Sequence, residues 1–169
     1  MVRLFDDFQQ RHAATPRTLL TVGGITAGAQ GYWLARLFVE RGVSLFVVTP
    51  EAHQRDLLYD DLQCFLAGMP DSPPRWQGLE SVVCRYVHRS PLSPDAVAFQ
   101  QQQALACYQP LWRLLGEDPV VVVSAVESLR YNVIPPQHLQ AGLLQVRIGA
   151  SFPLPGLAAT LVEIGRAHV

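Results

Sequence analysis

Leu19-Leu20-Thr21-Val22-Gly23-Gly24-Ile25-Thr26-Ala27-Gly28-Ala29-Gln30-Gly31 decides how this chain folds. An apolar run leads into the glycines, and an amphipathic helix pattern, Tyr32 to Glu40, follows them. Strand, glycine-rich turn and helix in that order is the layout of a phosphate-binding loop. Gly23 and Gly28 stand five apart, as the two glycines of G-x-x-x-x-G-K-[ST] do. Ala29 and Gln30 then occupy the Lys and Ser/Thr places. Counted from Gly24 instead, Ala29 replaces the second glycine, and Gln30 and Gly31 take the two chemical positions. The lysine reaches the β- and γ-phosphates and the hydroxyl residue holds magnesium. With both missing, Gly23, Gly24, Thr26, Gly28, Ala29, Gln30 and Gly31 read as a vestigial phosphate loop, with no nucleotide expected on it.

Composition supports that reading. The chain has 169 residues, and its 13 positive residues are all arginine. No other register can therefore supply the lysine, and Schiff-base chemistry is excluded. A hydrophobic content of 49% is enough for a packed core, and a net charge of -1 gives no electrostatic footprint for nonspecific nucleic-acid binding. The three cysteines, Cys64, Cys84 and Cys107, are widely spaced and odd in number. They suit a reducing cytoplasm better than a disulfide framework. No window approaches a membrane span, and the acidic N-terminus is not a signal peptide.

Outward from the glycines, the pattern predicts an α/β layer fold with a parallel sheet and flanking helices. A short amphipathic helix is expected over 2–12 and a first strand over 18–22. A helix over about 29–41 stops at Gly42. Val43 to Thr49 is an apolar run suited to a parallel strand covered on both faces. A helix over about 51–67 places Leu58, Leu62, Phe65 and Leu66 on one face. A strand lies within 79–87, then a helix over about 95–115 that Pro110 kinks or breaks. Val120 to Ser124 is a further buried strand, followed by a short helix to Arg130 and a helical turn from Pro135-Pro136 to Leu139. Leu143 to Gly149 alternates like a strand with one exposed face, and Leu157 to Ile164 reads as a helix. Residues 1–140 are thus expected to form one domain and 141–163 the start of a small second α+β domain. The last six residues, 164–169, read as an artefactual tail on a truncated fragment.

Other chemistry is thinly supported. Asp60 and Asp61 are helix neighbours pointing about 100° apart, which marks two solvated charges rather than a metal pair. Cys84 and His88 are only two ligands where structural zinc needs four, so no metal is expected. Ser124, Ser128 and Ser151 lack a G-x-S-x-G setting. No strand ends in the acidic pair that would hold magnesium. Arg75, Arg85 and Arg89 form a loose cluster suited to a solvated surface.

Five stretches in order resemble the N-terminal module of the bacterial transcription-repair coupling factor (Mfd) family, itself similar to the start of the excision-repair protein UvrB. They are Gly24-Ile25-Thr26-Ala27; Leu45 to Pro50 with Leu58-Tyr59-Asp60-Asp61-Leu62; Trp76-Gln77-Gly78-Leu79 with Ser93-Pro94-Asp95; Val120 to Leu129 with Pro135-Pro136-Gln137-His138-Leu139; and Val146-Arg147-Ile148-Gly149 with Leu157 to Glu163. The resemblance spans residues 16–163 and rests on order and spacing. The chain departs from it between Leu79 and Ser93, where Val82 to His88 replaces a short L-P-Y-D turn. The resemblance implies a P-loop NTPase-like domain with a degenerate loop, where UvrB keeps its lysine. It implies a non-catalytic module that recruits UvrA, whose contact domain begins near Leu143. In that family RNA polymerase, DNA, ATP and magnesium engage regions further along the chain. The rival reading is a stand-alone P-loop-like enzyme or adaptor that holds phosphate through arginine.

Overall fold

A computed structural model describes residues 21–69, 82–88 and 107–141. It is an α/β arrangement built on a three-stranded parallel sheet. Helix α1 spans Ala27–Arg41, strand β1 Leu45–Thr49, helix α2 Ala52–Gly68, strand β2 Val83–Tyr86 and strand β3 Val121–Ala125. Residues 107–114 are helical, running on through Pro110 without a break. A 3₁₀ turn, Val126–Arg130, follows β3, and helix α3 spans Pro136–Ala141. Contacts divide the chain into two units, residues 1–131 and 132–169, and α3 belongs to the second. Within that unit the Leu139 N–H donates to the Pro135 carbonyl at 3.0 Å, which closes the first turn of α3.

The strands lie in the order β1-β3-β2. Among the described strands the last in sequence is therefore the central one, and all five of its residues are buried. Its composition explains this. Val120-Val121-Val122-Val123 offers apolar side chains to both faces, as a strand covered on both sides must. Each such valine contributes roughly 1.5–3 kcal/mol on burial. On one face Val121 and Val123 join Val83, Ala35 and Phe38 of α1, and Leu58, Leu62 and Leu66 of α2. On the other face Val122 packs with Cys84, Tyr86 and Cys107, covered by Leu111 and Leu114.

The expected helix face of α2 is therefore real at Leu58, Leu62 and Leu66, while Phe65 is only partly buried against it. Helix α1 starts two residues earlier than the spacing predicts, at Ala27, with Thr26 as its N-cap. The first strand expected over 18–22 is not seen in Thr21 and Val22, which have no regular structure. Its remaining residues lie outside the described ones. So do the expected 2–12 and 157–164 helices, the 143–149 strand and the 164–169 tail.

Gly42 ends α1 in the left-handed region at φ 60°, and its N–H donates to the Phe38 carbonyl at 2.9 Å. A Cβ is disfavoured at that φ by about 1 kcal/mol. Gly42→Ala is expected to lose about that much stability in urea unfolding, with binding properties unchanged. Unchanged or higher stability would show that the αL cap is not held in solution.

Candidate functional site

The glycine turn is largely exposed. Gly24 sits at φ 78°, a conformation only glycine adopts without strain. Among the described residues a Cβ added at Gly23, Gly24 or Gly28 would meet nothing within 4 Å. Thr26 leaves its side chain without a capping bond, and its carbonyl accepts from the Ala29 N–H at 2.9 Å. Ala27, Gly28, Ala29 and Gln30 then form the first turn of α1. The Ala27 and Gly28 amides remain orphan donors of a helix start, the polarity that suits an anion, while the Ala29 amide is taken by the Thr26 carbonyl. Counted from Gly23, the helix has begun one residue before the second glycine; counted from Gly24, two before Ala29. The loop between the glycines is correspondingly short.

Gly31 stands apart from the others. It is buried in α1, and a Cβ built on it would lie 2.7 Å from the Asp61 Cβ and 3.4 Å from the Phe65 ring. Its role is close approach of α1 and α2. Asp61 is thereby placed at a helix crossing, while Asp60 points elsewhere around α2. Of the two carboxylates expected to be solvated, Asp60 is exposed and Asp61 is half-buried beside Gly31.

The carboxyl ends of the strands are tied by hydroxyls. Thr49 Oγ1 donates to the Glu51 carbonyl at 2.9 Å and to the Ser124 carbonyl at 3.3 Å. Ser124 Oγ donates to the Ala125 carbonyl at 3.2 Å, and Ser128 is buried. These hydroxyls are engaged with backbone or buried in the turn, as structural serines are.

A second cluster was not legible in the sequence. His88 has its Nδ1 3.3 Å from Cys107 Sγ. The Tyr131 ring lies over the imidazole, centroids 4.8 Å apart. Arg113 Nη1 donates to Cys84 Sγ at 3.5 Å. Tyr86 completes the cluster from β2, 1% exposed, its hydroxyl beside the Cys107 thiol. Burial pushes the Tyr86 phenol up to about 12 and pushes the Cys107 thiol up as well. A thiol disfavoured as thiolate is a poor nucleophile. The pairing of Cys107 with His88 has the composition of a catalytic dyad but the electrostatics of a core contact. Only the packing of helix 107–114 on β2 brings the two together, across nineteen positions, so no local spacing announced it.

Of the loose arginine cluster, Arg85 lies 4.3 Å over the Tyr59 ring and 3.5 Å from Asp56. Arg75 and Arg89 lie outside the described residues. Asp56 also takes two hydrogen bonds from the buried Arg55, each at 3.0 Å. This is a self-satisfied network on α2 and β2. Among the described residues no three His, Cys, Asp or Glu side chains group as metal ligands. No described helix is long and apolar enough to cross a membrane. No family model, curated protein or solved structure matches the chain.

Proposed function

We propose that this chain is a non-catalytic recruitment module of the transcription-repair coupling kind, built on a scaffold that once held nucleotide. The carrying observation is the glycine turn itself, in which Ala29-Gln30 or Gln30-Gly31 stands where Lys and Ser/Thr would act. A helix N-terminus alone attracts an anion weakly, by about 0.3–1 kcal/mol at an exposed position. Without an ammonium on the γ-phosphate or a hydroxyl on magnesium, the turn has no means of discriminating ATP. Gly31, in the last place of one register, is spent on helix packing.

The P-loop NTPase-like and UvrB-like character of the domain belongs to this proposal, supported by the order of the five resembling stretches. So do UvrA as the partner, action in the cytoplasm, and engagement of RNA polymerase and DNA by other regions of a longer protein. ATP and magnesium would serve a motor elsewhere in that protein and have no place on residues 23–31.

A nucleotide site would raise stability by about 2.7 kcal/mol at a hundredfold excess of ligand over its Kd. The expected result with Mg-ATP is no thermal shift and no saturable binding of a fluorescent ATP analogue. Saturable binding that Gly28→Asp abolishes would overturn the vestigial-loop proposal and favour the phosphate-holding enzyme. For the family assignment, the decisive observation is the coding DNA beyond Glu163. Helicase motifs downstream would support it, and a continuation without them would overturn it.

A further inference from the structure

Behind its burial, the Cys107 thiol is equipped to react. Strand β2 ends at Tyr86 and His88 follows two residues on, and both reach Cys107 on helix 107–114. Two hydrogens decide how the three groups are joined. The buried Tyr86 phenol has the Cys107 sulfur beside it, and a phenol is the better donor of the two. Its O–H therefore points at Sγ, which leaves the thiol proton to His88 Nδ1, 3.3 Å away. An acceptor at Nδ1 puts the ring proton of neutral His88 on Nε2. The sulfur thus has a base on one side and a donor for its thiolate on the other.

Burial keeps this arrangement silent. Desolvation raises the Cys107 thiol, and the Tyr86 contact opposes it. With the desolvation relieved, the contact that favours the thiolate remains. Among the described residues, the ring lying against His88 is Tyr131, its centroid 4.8 Å away at 33°. Tyr131 is itself lightly anchored. In segment 126–131 only Ser128 is buried, while Val126, Leu129 and Tyr131 are 52%, 42% and 40% exposed. A segment with so few buried side chains is among the first to open. The division between the two compact units also falls immediately after Tyr131.

We propose that Cys107 and His88 form a covered modification site for small soft electrophiles, with the Tyr131 ring as its cover. When segment 126–131 lifts, His88 Nδ1 takes the thiol proton and Sγ attacks as the thiolate. With iodoacetamide the Sγ–C bond forms, the C–I bond breaks and iodide leaves. The proton stays on the imidazole until solvent removes it. Tyr86 donates its O–H to the thiolate and is itself unchanged. The site stands independently of the proposed function.

Iodoacetamide labelling of the full chain at pH 7, read at each cysteine by peptide mass spectrometry, tests it. Exposed Cys64 sets the open rate, and buried Cys84 reports global opening. In the unsubstituted protein Cys107 should label more slowly than Cys64. Tyr131→Ala should speed Cys107 by roughly three- to tenfold, the worth of one ring stack, with Cys64 and Cys84 unchanged. Tyr131→Phe keeps the ring and should leave Cys107 slow. In the Tyr131→Ala background, His88→Gln should return most of the gain at pH 7 and little of it at about pH 9.5, where a thiol ionises unaided. Cys107 labelling as fast as Cys64 in the unsubstituted protein, or an unchanged rate in Tyr131→Ala, would overturn the cover. Equal acceleration of Cys84 would show that the ring holds the fold rather than one thiol, and would overturn it too. A His88→Gln rate equal to its parent's at pH 7 would overturn the pairing.

Discussion

Gly31→Val will destabilise the protein by about 3 kcal/mol, and Gly31→Ala will destabilise it by about 1–2 kcal/mol. The sign is the point. In an ordinary helix interior, glycine to alanine gains about 1 kcal/mol from propensity. At Gly31 the new Cβ would stand 2.7 Å from the Asp61 Cβ, about 1 Å inside a normal carbon–carbon contact. Asp61 cannot rotate this atom away, because a Cβ is fixed by its backbone. The helices must separate instead. A gap of 0.5–1 Å forfeits a quarter to a half of the dispersion attraction at each contact, and Ala35, Phe38, Leu58 and Leu62 share that interface. Urea unfolding of Gly31→Ala, Asp61→Gly and the double variant provides the check. The pair should couple favourably by about 1 kcal/mol, since the second change removes the obstructing carbon. A stabilised Gly31→Ala would show that α1 and α2 do not approach this closely.

The second large effect appears only in alkali. Tyr86 has its phenol raised from 10.0 to about 12, chiefly by burial. The native state therefore holds this proton up to about pH 12, while the unfolded chain releases it near pH 10. Between those values the native state binds more protons, so stability falls as pH rises. The contribution is complete below pH 10, and about 2–3 kcal/mol is lost by pH 12. Cys107 is shifted in the same direction, so its loss has the same sign and begins in the ordinary thiol range. Tyr86→Phe should remove the pH 10–12 part of the decline. At pH 7 it should be close to neutral, because the buried hydroxyl it deletes has only the Cys107 thiol, a weak hydrogen-bonding group, beside it. Urea midpoints at pH 7 and pH 11 measure both. An alkaline decline that persists in the phenylalanine variant would assign it to other groups.

Periodic segments were legible because their own residues settle them. Val120 to Val123 reads as a two-faced buried strand, and β3 is buried on both faces. Leu58, Leu62 and Leu66 fall on one helical face by spacing alone, and they are the α2 residues in the core. The short 3₁₀ turn after β3 and the α3 turn after Pro135 also follow from local signals. What spacing could not supply was the partner of each surface. The sheet order β1-β3-β2 depends on two crossovers. The contact of His88 with Cys107 depends on how one helix lies over β2, which no spacing records. The packing of Gly31 against α2 was hidden for a similar reason. In a row of glycines, the one that lets two helices meet looks the same as those that shape a turn. Only Asp61 on the facing helix separates them.

The placement of β3 has a consequence for biosynthesis. The ladder joining β1 to β3 closes over positions 76 residues apart, as Ser44 and Val120 record. A ribosome therefore delivers β1 and β2 long before the strand that pairs with both. Until β3 leaves the exit tunnel, the first two strands have no hydrogen-bonding neighbour among the described elements, and α2 has no central valines to cover. Such a topology commits late, since the loop-closure cost falls due before any ladder repays it. Nascent chains stopped ahead of Val121 should then remain accessible to protease, and resistance should arise as a single step once Ala125 has emerged.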